Sequence, residues 1–318
     1  MSAALAEARQ FIGATSPNPP VGAAALDKSG RLLAVAAHKF AGGDHAEVAL
    51  LKICREQNLL PQVETICVTL EPCNHHGRTP PCTNAIIGTG IKRVVIGAHD
   101  PNPHVTGGGI EKLRGAGIEM VTGVLEEDCK QMIHTFAFHA ETGKPWITIK
   151  RAFDGSGSMI PPAGQKTFTS HGALTLAHRL RKKSDVILTG SGTILVDQPL
   201  FTVRHVEDYP GKKRWLAILD RRGRVPDSYT KAAEKNGFIP LIYQDVAAAI
   251  DDLERRGARD ILVEAGPLLS QAMLDYPFWA MSVKIRAGDS EQIEAEFNSR
   301  VPIPFEMEKF DWDNFLPL

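Results

Sequence analysis

His45 and Glu47 stand two residues apart. After a further helix and strand's length the chain reads Glu71-Pro72-Cys73-Asn74-His75-His76-Gly77-Arg78-Thr79-Pro80-Pro81-Cys82. One imidazole and two thiolates can hold Zn²⁺, which takes nitrogen and sulfur ligands in a tetrahedron. His45, Cys73 and Cys82 would fill three positions and leave the fourth to water. Glu47, kept off the metal, could take a proton from that water and hand it to a leaving group. His-x-Glu followed by Pro-Cys and a second Cys is the order in which hydrolytic, amine-releasing zinc sites are built. A closed structural site is the alternative, with His75 or His76 as fourth ligand. It would leave Glu47 without a task.

The elements around these residues follow from pattern. Residues 3–12 read as an amphipathic helix ending at Gly13. Residues 16–22 carry three prolines and cannot be helical. Asn18, pinned between two of those prolines, either presents its amide to a ligand or makes an Asx turn. Residues 21–26 and 31–37 flank Asp27-Lys28-Ser29-Gly30 as a hairpin. Residues 45–57 form a helix with Asp44 as N-cap, and residues 65–70 a buried strand. Cys73 would then lie at a strand's C-terminal end, where open α/β sheets place ligands. Pro80 and Pro81 open a second helix at Cys82, whose positive N-terminus favours a thiolate. Residues 92–98 form another strand, delivering Asp100-Pro101-Asn102-Pro103 to the same edge. A helix over 110–115, a strand over 117–122 and one long helix over 126–142 complete this half.

Gly143-Lys144-Pro145 breaks the pattern, which sets domains at 1–144 and 145–318. A chain of 318 residues supports two cores at roughly 100–200 residues each. Strands over 146–150, 185–189, 215–219, 238–243 and 260–264 alternate with helices over 171–182 and 246–256. This is the alternation of a parallel-rich sheet. The net charge of −1 argues against a nucleic-acid partner, which asks for a basic surface. Five cysteines, an odd number in a long chain, argue against a disulfide framework and for a reducing cytoplasm. No apolar run is long enough for a membrane span, and the N-terminus lacks a signal-peptide pattern.

Eight residues separate the two cysteines, and the insertion Asn-His-His-Gly-Arg-Thr-Pro-Pro places His75, His76 and Arg78 at the pocket mouth. This lengthened form resembles the deaminase half of the bifunctional riboflavin-biosynthesis deaminase/reductase family. The resemblance implies an α/β fold class: a cytidine-deaminase-like three-layer α/β/α domain, then a dihydrofolate-reductase-like α/β domain. It implies zinc-dependent deamination of a phosphorylated diaminopyrimidinone, then NADPH-dependent reduction of the ribosyl group to ribityl. Pro-Asn-Pro-x-Val-Gly around Asn18 and the Asp-Pro-Asn-Pro loop match family motifs. By that match Asn18, His38, His76, Arg78, Asp100 and Asn102 would contact the pyrimidine substrate.

In the second half, Gly190-Ser191-Gly192-Thr193 followed by Asp197-Gln198-Pro199-Leu200-Phe201-Thr202-Val203-Arg204 is similar to the family pattern. Lys150, Arg181, Phe201, Arg204 and Glu264 fall on substrate positions, and Thr193, Asp197 and Gly266 on cofactor positions. A small phosphorylated molecule and further copies of the same chain are the expected partners. Departures from the pattern are Ala152-Phe153 where Ser-Leu is expected, Thr167 where a Trp is expected, and no recognisable strand after Leu274. The tail from Pro302 reads as a loose strand or extension. Three rival readings remain open: a second domain that binds without reducing, an RNA-base deaminase, and a non-enzymatic zinc-stabilised interaction module.

Overall fold

A computed structural model of the chain describes residues 1–74, 80–102, 108–160, 167–288 and 291–317. These fall into two compact units, Met1–Thr142 with Pro304–Leu318, and Gly143–Ile303. Both are α/β, as the sequence reading has it.

The first unit begins α1 (Ser2–Arg9), β1 (Gly22–Leu26), β2 (Leu32–Ala37), α2 (Ala46–Glu56) and β3 (Thr65–Leu70). It continues with α3 (Cys82–Ile86), β4 (Arg93–Ala98), α4 (Gly109–Gly115), β5 (Glu119–Val121), α5 (Glu126–Met132) and α6 (His134–Thr142). The sheet order is β2-β1-β3-β4-β5. β1 runs antiparallel to both neighbours, and β3, β4 and β5 are mutually parallel. β3 is buried along its whole length, which suits its run of β-branched and apolar residues to the sheet centre. One face packs under α2, α3 and α4 through Leu50, Leu51, Ile86 and Leu113. The other packs under α1 and α5 through Leu5, Ile12, Met132 and Ile133. The unit is therefore three layers, and the α2/α3 starts meet the C-terminal end of β3.

The helix expected to run unbroken over 126–142 is two helices, parting at Ile133. At the break the His134 Nδ1–H donates to the Gln131 carbonyl at 2.7 Å, a local side-chain bond of the kind that competes with helix pairing. The N-cap of α2 is His45 rather than Asp44, whose carbonyl instead accepts from His38.

The second unit runs β6 (Trp146–Phe153), α7 (His171–Lys183), β7 (Val186–Gly190), α8 (Ser191–Asp197), β8 (Arg214–Leu219) and α9 (Asp227–Lys235). Then follow β9 (Phe238–Tyr243), α10 (Val246–Arg255), β10 (Asp260–Glu264), α11 (Pro267–Asp275), β11 (Met281–Arg286) and β12 (Gln292–Phe297). The order is β12-β11-β6-β10-β7-β8-β9, parallel except at β12. Where the sequence reading finds no strand after Leu274, the structure has β11 and β12, a hairpin closing one sheet edge. From β7 the chain moves on to β8 on one side, and from β10 to β11 on the other. Adjacent strands whose connections leave in opposite directions open a crevice at their carboxyl ends.

The tail is neither loose nor part of the second unit. Its helical turn α12 (Trp312–Phe315) docks against α5 of the first unit. Asn314 Nδ2 donates to Asp128 at 2.8 Å, and Gln131 both donates to the Lys309 carbonyl at 2.7 Å and accepts from the Asp311 N–H at 2.9 Å. Phe315, fully buried, stacks on His134 with ring centroids 3.9 Å apart. Phe315→Ala should destabilise the first unit by about 3–5 kcal/mol, since an aromatic side chain would leave a cavity against a buried ring. Denaturant unfolding followed by near-UV circular dichroism checks this, and an unmoved midpoint would show the tail's packing to be dispensable.

Candidate functional site

His45, Cys73 and Cys82 converge at the carboxyl end of β3. Their ligand atoms all lie within 4.8 Å of one another. His45 occupies the extended position just before α2, Cys73 follows β3, and Cys82 opens α3. His45 Nδ1 is 3.2 Å from Cys82 Sγ and 3.6 Å from Cys73 Sγ. A tetrahedral zinc with ordinary Zn–N and Zn–S bonds sets such edges at about 3.5 Å, so the donor set fits that ion in type and spacing.

The electrostatics agree. A hydrogen bond from the Cys82 thiol, aided by His45, holds Cys73 down at about 4 despite burial. Cys82, facing that thiolate, is pushed up. The hydrogen bond to Cys73 raises His45. Zinc takes such sulfurs as thiolates, and its binding displaces the protons left on its ligands. Glu47, in the first turn of α2, is 3% exposed, and burial pushes its carboxyl up to about 7.

Asn18 and His38 are brought together by the hairpin, with Asn18 Nδ2 3.2 Å from His38 Nε2. His38 Nδ1 lies 2.9 Å from the Asp44 carbonyl, which can only accept. The proton is therefore on Nδ1, and Nε2 accepts from the Asn18 amide. His38 is buried, its ring 5.5 Å from that of His45, and burial lowers its basicity. Asp100 and Asn102 form a turn after β4, in which the Asn102 N–H donates to Asp100 Oδ1 at 2.9 Å. His76 and Arg78 lie outside the described residues.

In the second unit, the crevice between β10 and β7 collects most of the other sequence candidates. Glu264 ends β10, and Arg181 of α7 grips it with two hydrogen bonds, Nη2 to Oε2 at 2.9 Å. Lys150 of β6 lies 3.8 Å from the same carboxylate. Burial pushes the Glu264 carboxyl up, but Arg181 and then Lys150 outweigh it and hold it at about 2. Arg181 is thus spent on Glu264, whereas Arg204 is exposed, its Nη1 donating to Thr202 at 2.6 Å. Phe201 is buried with φ 53° beneath the Arg181 guanidinium, 5.8 Å from its ring centre. Thr193 Oγ1 accepts from the Gly266 N–H at 3.1 Å, joining the first turn of α8 to the start of α11. Asp197 stands exposed at the end of α8.

His178 is a residue that sequence reasoning missed. It is buried, its Nδ1 accepts the Arg204 backbone N–H at 2.9 Å, and its Nε2 is 3.4 Å from Arg181. Burial, then the neighbouring cations, lowers it to about 4, so the ring stays neutral and able to accept. Its position one turn before Arg181 was the available signal. Two cavities border these groups, with Pro101 in the lining of one and Ile194 and Gln198 in that of the other. One of about 440 Å³ in the first unit is lined by residues including His99, Lys130 and Pro304. One of about 230 Å³ in the second lies between α8 and α9.

Residues 1–98 match the family model for the cytidine and deoxycytidylate deaminase zinc-binding region, and residues 145–276 match that of the RibD C-terminal domain. The riboflavin biosynthesis protein RibD of Aquifex aeolicus is 42% identical over 228 residues, spanning 71% of this chain and 62% of that protein. The matched stretch is thus under two thirds of that relative's length. The RibD protein of Mycobacterium tuberculosis is 34% identical over 279 residues, spanning 86% of this chain and 80% of its own. Among solved structures, a diaminohydroxyphosphoribosylaminopyrimidine deaminase/5-amino-6-(5-phosphoribosylamino)uracil reductase of Thermotoga maritima superposes with a TM-score of 0.79 at 32% identity. That superposition covers 90% of this chain and 85% of the other. With the ligand cluster, the paired α/β units and these likenesses in hand, the chain belongs to the RibD family of riboflavin biosynthesis proteins.

Proposed function

We propose that the chain carries out two successive steps of riboflavin biosynthesis. The first unit hydrolytically deaminates 2,5-diamino-6-(5-phosphoribosylamino)pyrimidin-4(3H)-one. The second reduces the ribosyl group of the product to ribityl, with NADPH as hydride donor. The observation that carries the reading is the His45/Cys73/Cys82 cluster with Glu47 buried beside it.

His45, Cys73 and Cys82 would hold zinc, which when bound acidifies a water and acts as a Lewis acid. Glu47 takes the proton from the attacking water and returns it to the departing amine, so ammonia leaves and an oxygen takes its place. Asn18, oriented by His38, and the Asp100–Asn102 turn hold the pyrimidine edge. The crevice residues Lys150, Arg204 and Glu264 hold the sugar phosphate, with Arg181 fixing the Glu264 carboxylate. The exposed Arg204 fork suits phosphate oxygens, which it can bind bidentately. Thr193 and Gly266 frame the cofactor side, with Asp197 at its rim.

Ammonia release from the diaminopyrimidinone, and NADPH oxidation on the deaminated product, test the two halves separately. Oxidation absent while deamination proceeds would turn the second unit into a binding scaffold. Asn18→Ala should raise the KM for the diaminopyrimidinone by about 10–100-fold, the cost of leaving a buried polar edge of the substrate without its hydrogen bond, with zinc content unchanged. An unaltered KM would make Asn18 a turn residue and nothing more.

A further inference from the structure

The insertion between the two cysteines raises a physical question. Sulfur ligands separated by a longer loop gain freedom, yet a tetrahedral ion needs them at a fixed spacing. The structure meets this with a ladder between the two ends of the loop. The Cys82 N–H reaches Cys73 Sγ at 3.4 Å, and the Thr83 N–H donates to the Cys73 carbonyl at 3.3 Å. The third rung is made of side chains: Thr83 Oγ1 donates to Asn74 Oδ1 at 3.1 Å. Each of these two residues immediately follows a sulfur ligand. Thr83 is fully buried. Lys112, on α4, donates to the same Asn74 oxygen at 3.0 Å. α4 starts close enough for this because Gly108 sits at φ 111°, where a side chain would meet the Asn74 amide.

We propose that Asn74, Thr83 and Lys112 form a brace that fixes the spacing of the two sulfur ligands, which makes Thr83 and Asn74 positioning residues for the metal. The inference rests on the zinc reading of the cluster given above. None of the three is a ligand. Their effect passes through Cys73 and Cys82, as partners outside a ligand shell hold ligands in place elsewhere. Asn74 suits the post because one amide oxygen carries two lone pairs and can accept from a hydroxyl and an ammonium together.

The test uses the whole chain, loaded with zinc and titrated with a chromophoric chelator that competes for the ion. Thr83→Val keeps the shape and puts a methyl in place of the hydroxyl. It should lower zinc affinity about 10–100-fold, while the zinc-free protein melts where the parent does. Thr83→Ser restores the donor and should recover the affinity. Lys112→Met, on the surface side of the brace, should shift affinity in the same direction by a smaller factor, and serves if the Val variant does not fold. Zinc held as tightly by Thr83→Val as by the parent would overturn the proposal. So would a Ser variant as weak as the Val variant, because that result assigns Thr83 to packing. A parent whose zinc is unaffected by His45→Ala would instead overturn the zinc reading itself.

Discussion

Replacing Glu47 by Gln is expected to cut ammonia release by about 10²–10⁴-fold while the protein keeps its zinc. The amide has the size of the carboxylate and leaves His45, Cys73 and Cys82 in place, so metal content should stay at the parent's level. What it lacks is a site that can accept and return a proton. Glu47 is 3% exposed, so bulk water cannot reach in to substitute for it. Parallel measurement of zinc stoichiometry and ammonia release separates the two roles. Full turnover in the Gln variant would remove Glu47 from the chemistry. Loss of zinc together with activity would recast it as a support for the metal.

Glu264→Gln is expected to cost the second unit about 3–5 kcal/mol, because it leaves the buried charges of Arg181 and Lys150 uncompensated. NADPH oxidation on the deaminated product should disappear with it. The same carboxylate should give the second unit an acid-dependent stability. Its folded value of about 2 lies below the ordinary 4.5, so its contribution is complete above pH 4.5 and is lost as pH falls toward 2. The shift is worth about 3 kcal/mol. Trp146, Trp215 and Trp279 lie in this unit, so denaturant unfolding followed by tryptophan fluorescence at several pH values reads it. The Gln variant should show a flatter dependence below pH 4.5. A variant as stable as the parent, with the same acid slope, would show that the Arg181–Glu264 pair carries neither effect.

The metal cluster was legible because its chemistry is written in residue types at short spacing, with Pro and strand signals on either side. β3, β9 and β10 were legible to the residue, since each is a short apolar run bounded by breakers. β11 was legible in principle: Met281, Val283 and Ile285 alternate with Ser282, Lys284 and Arg286, which is the period of a strand with two unlike faces. Looking for the family pattern after Leu274, rather than for the period itself, hid it. The break at Ile133 was not legible, because no Gly or Pro marks it within 126–142. Nor was the pairing of Arg181 with Glu264, which lie 83 positions apart in sequence and meet only through the sheet order. The docking of α12 on α5 has the same character: Asn314 and Asp128 are 186 residues apart, and no local period announces their meeting.

The polypeptide leaves the first unit after Thr142 and rejoins it at Pro304. The second unit is therefore, along the chain, an insertion into the first, tethered at both ends rather than appended to one. One nick near residue 143 would open the backbone without freeing either body. Excising the insertion cleanly would mean splicing residue 142 to residue 304, so that the first unit keeps the segment seated on α5. Any attempt to separate the two chemistries genetically has to respect that return path, since cutting at the first junction alone would strip the first unit of its own last helix.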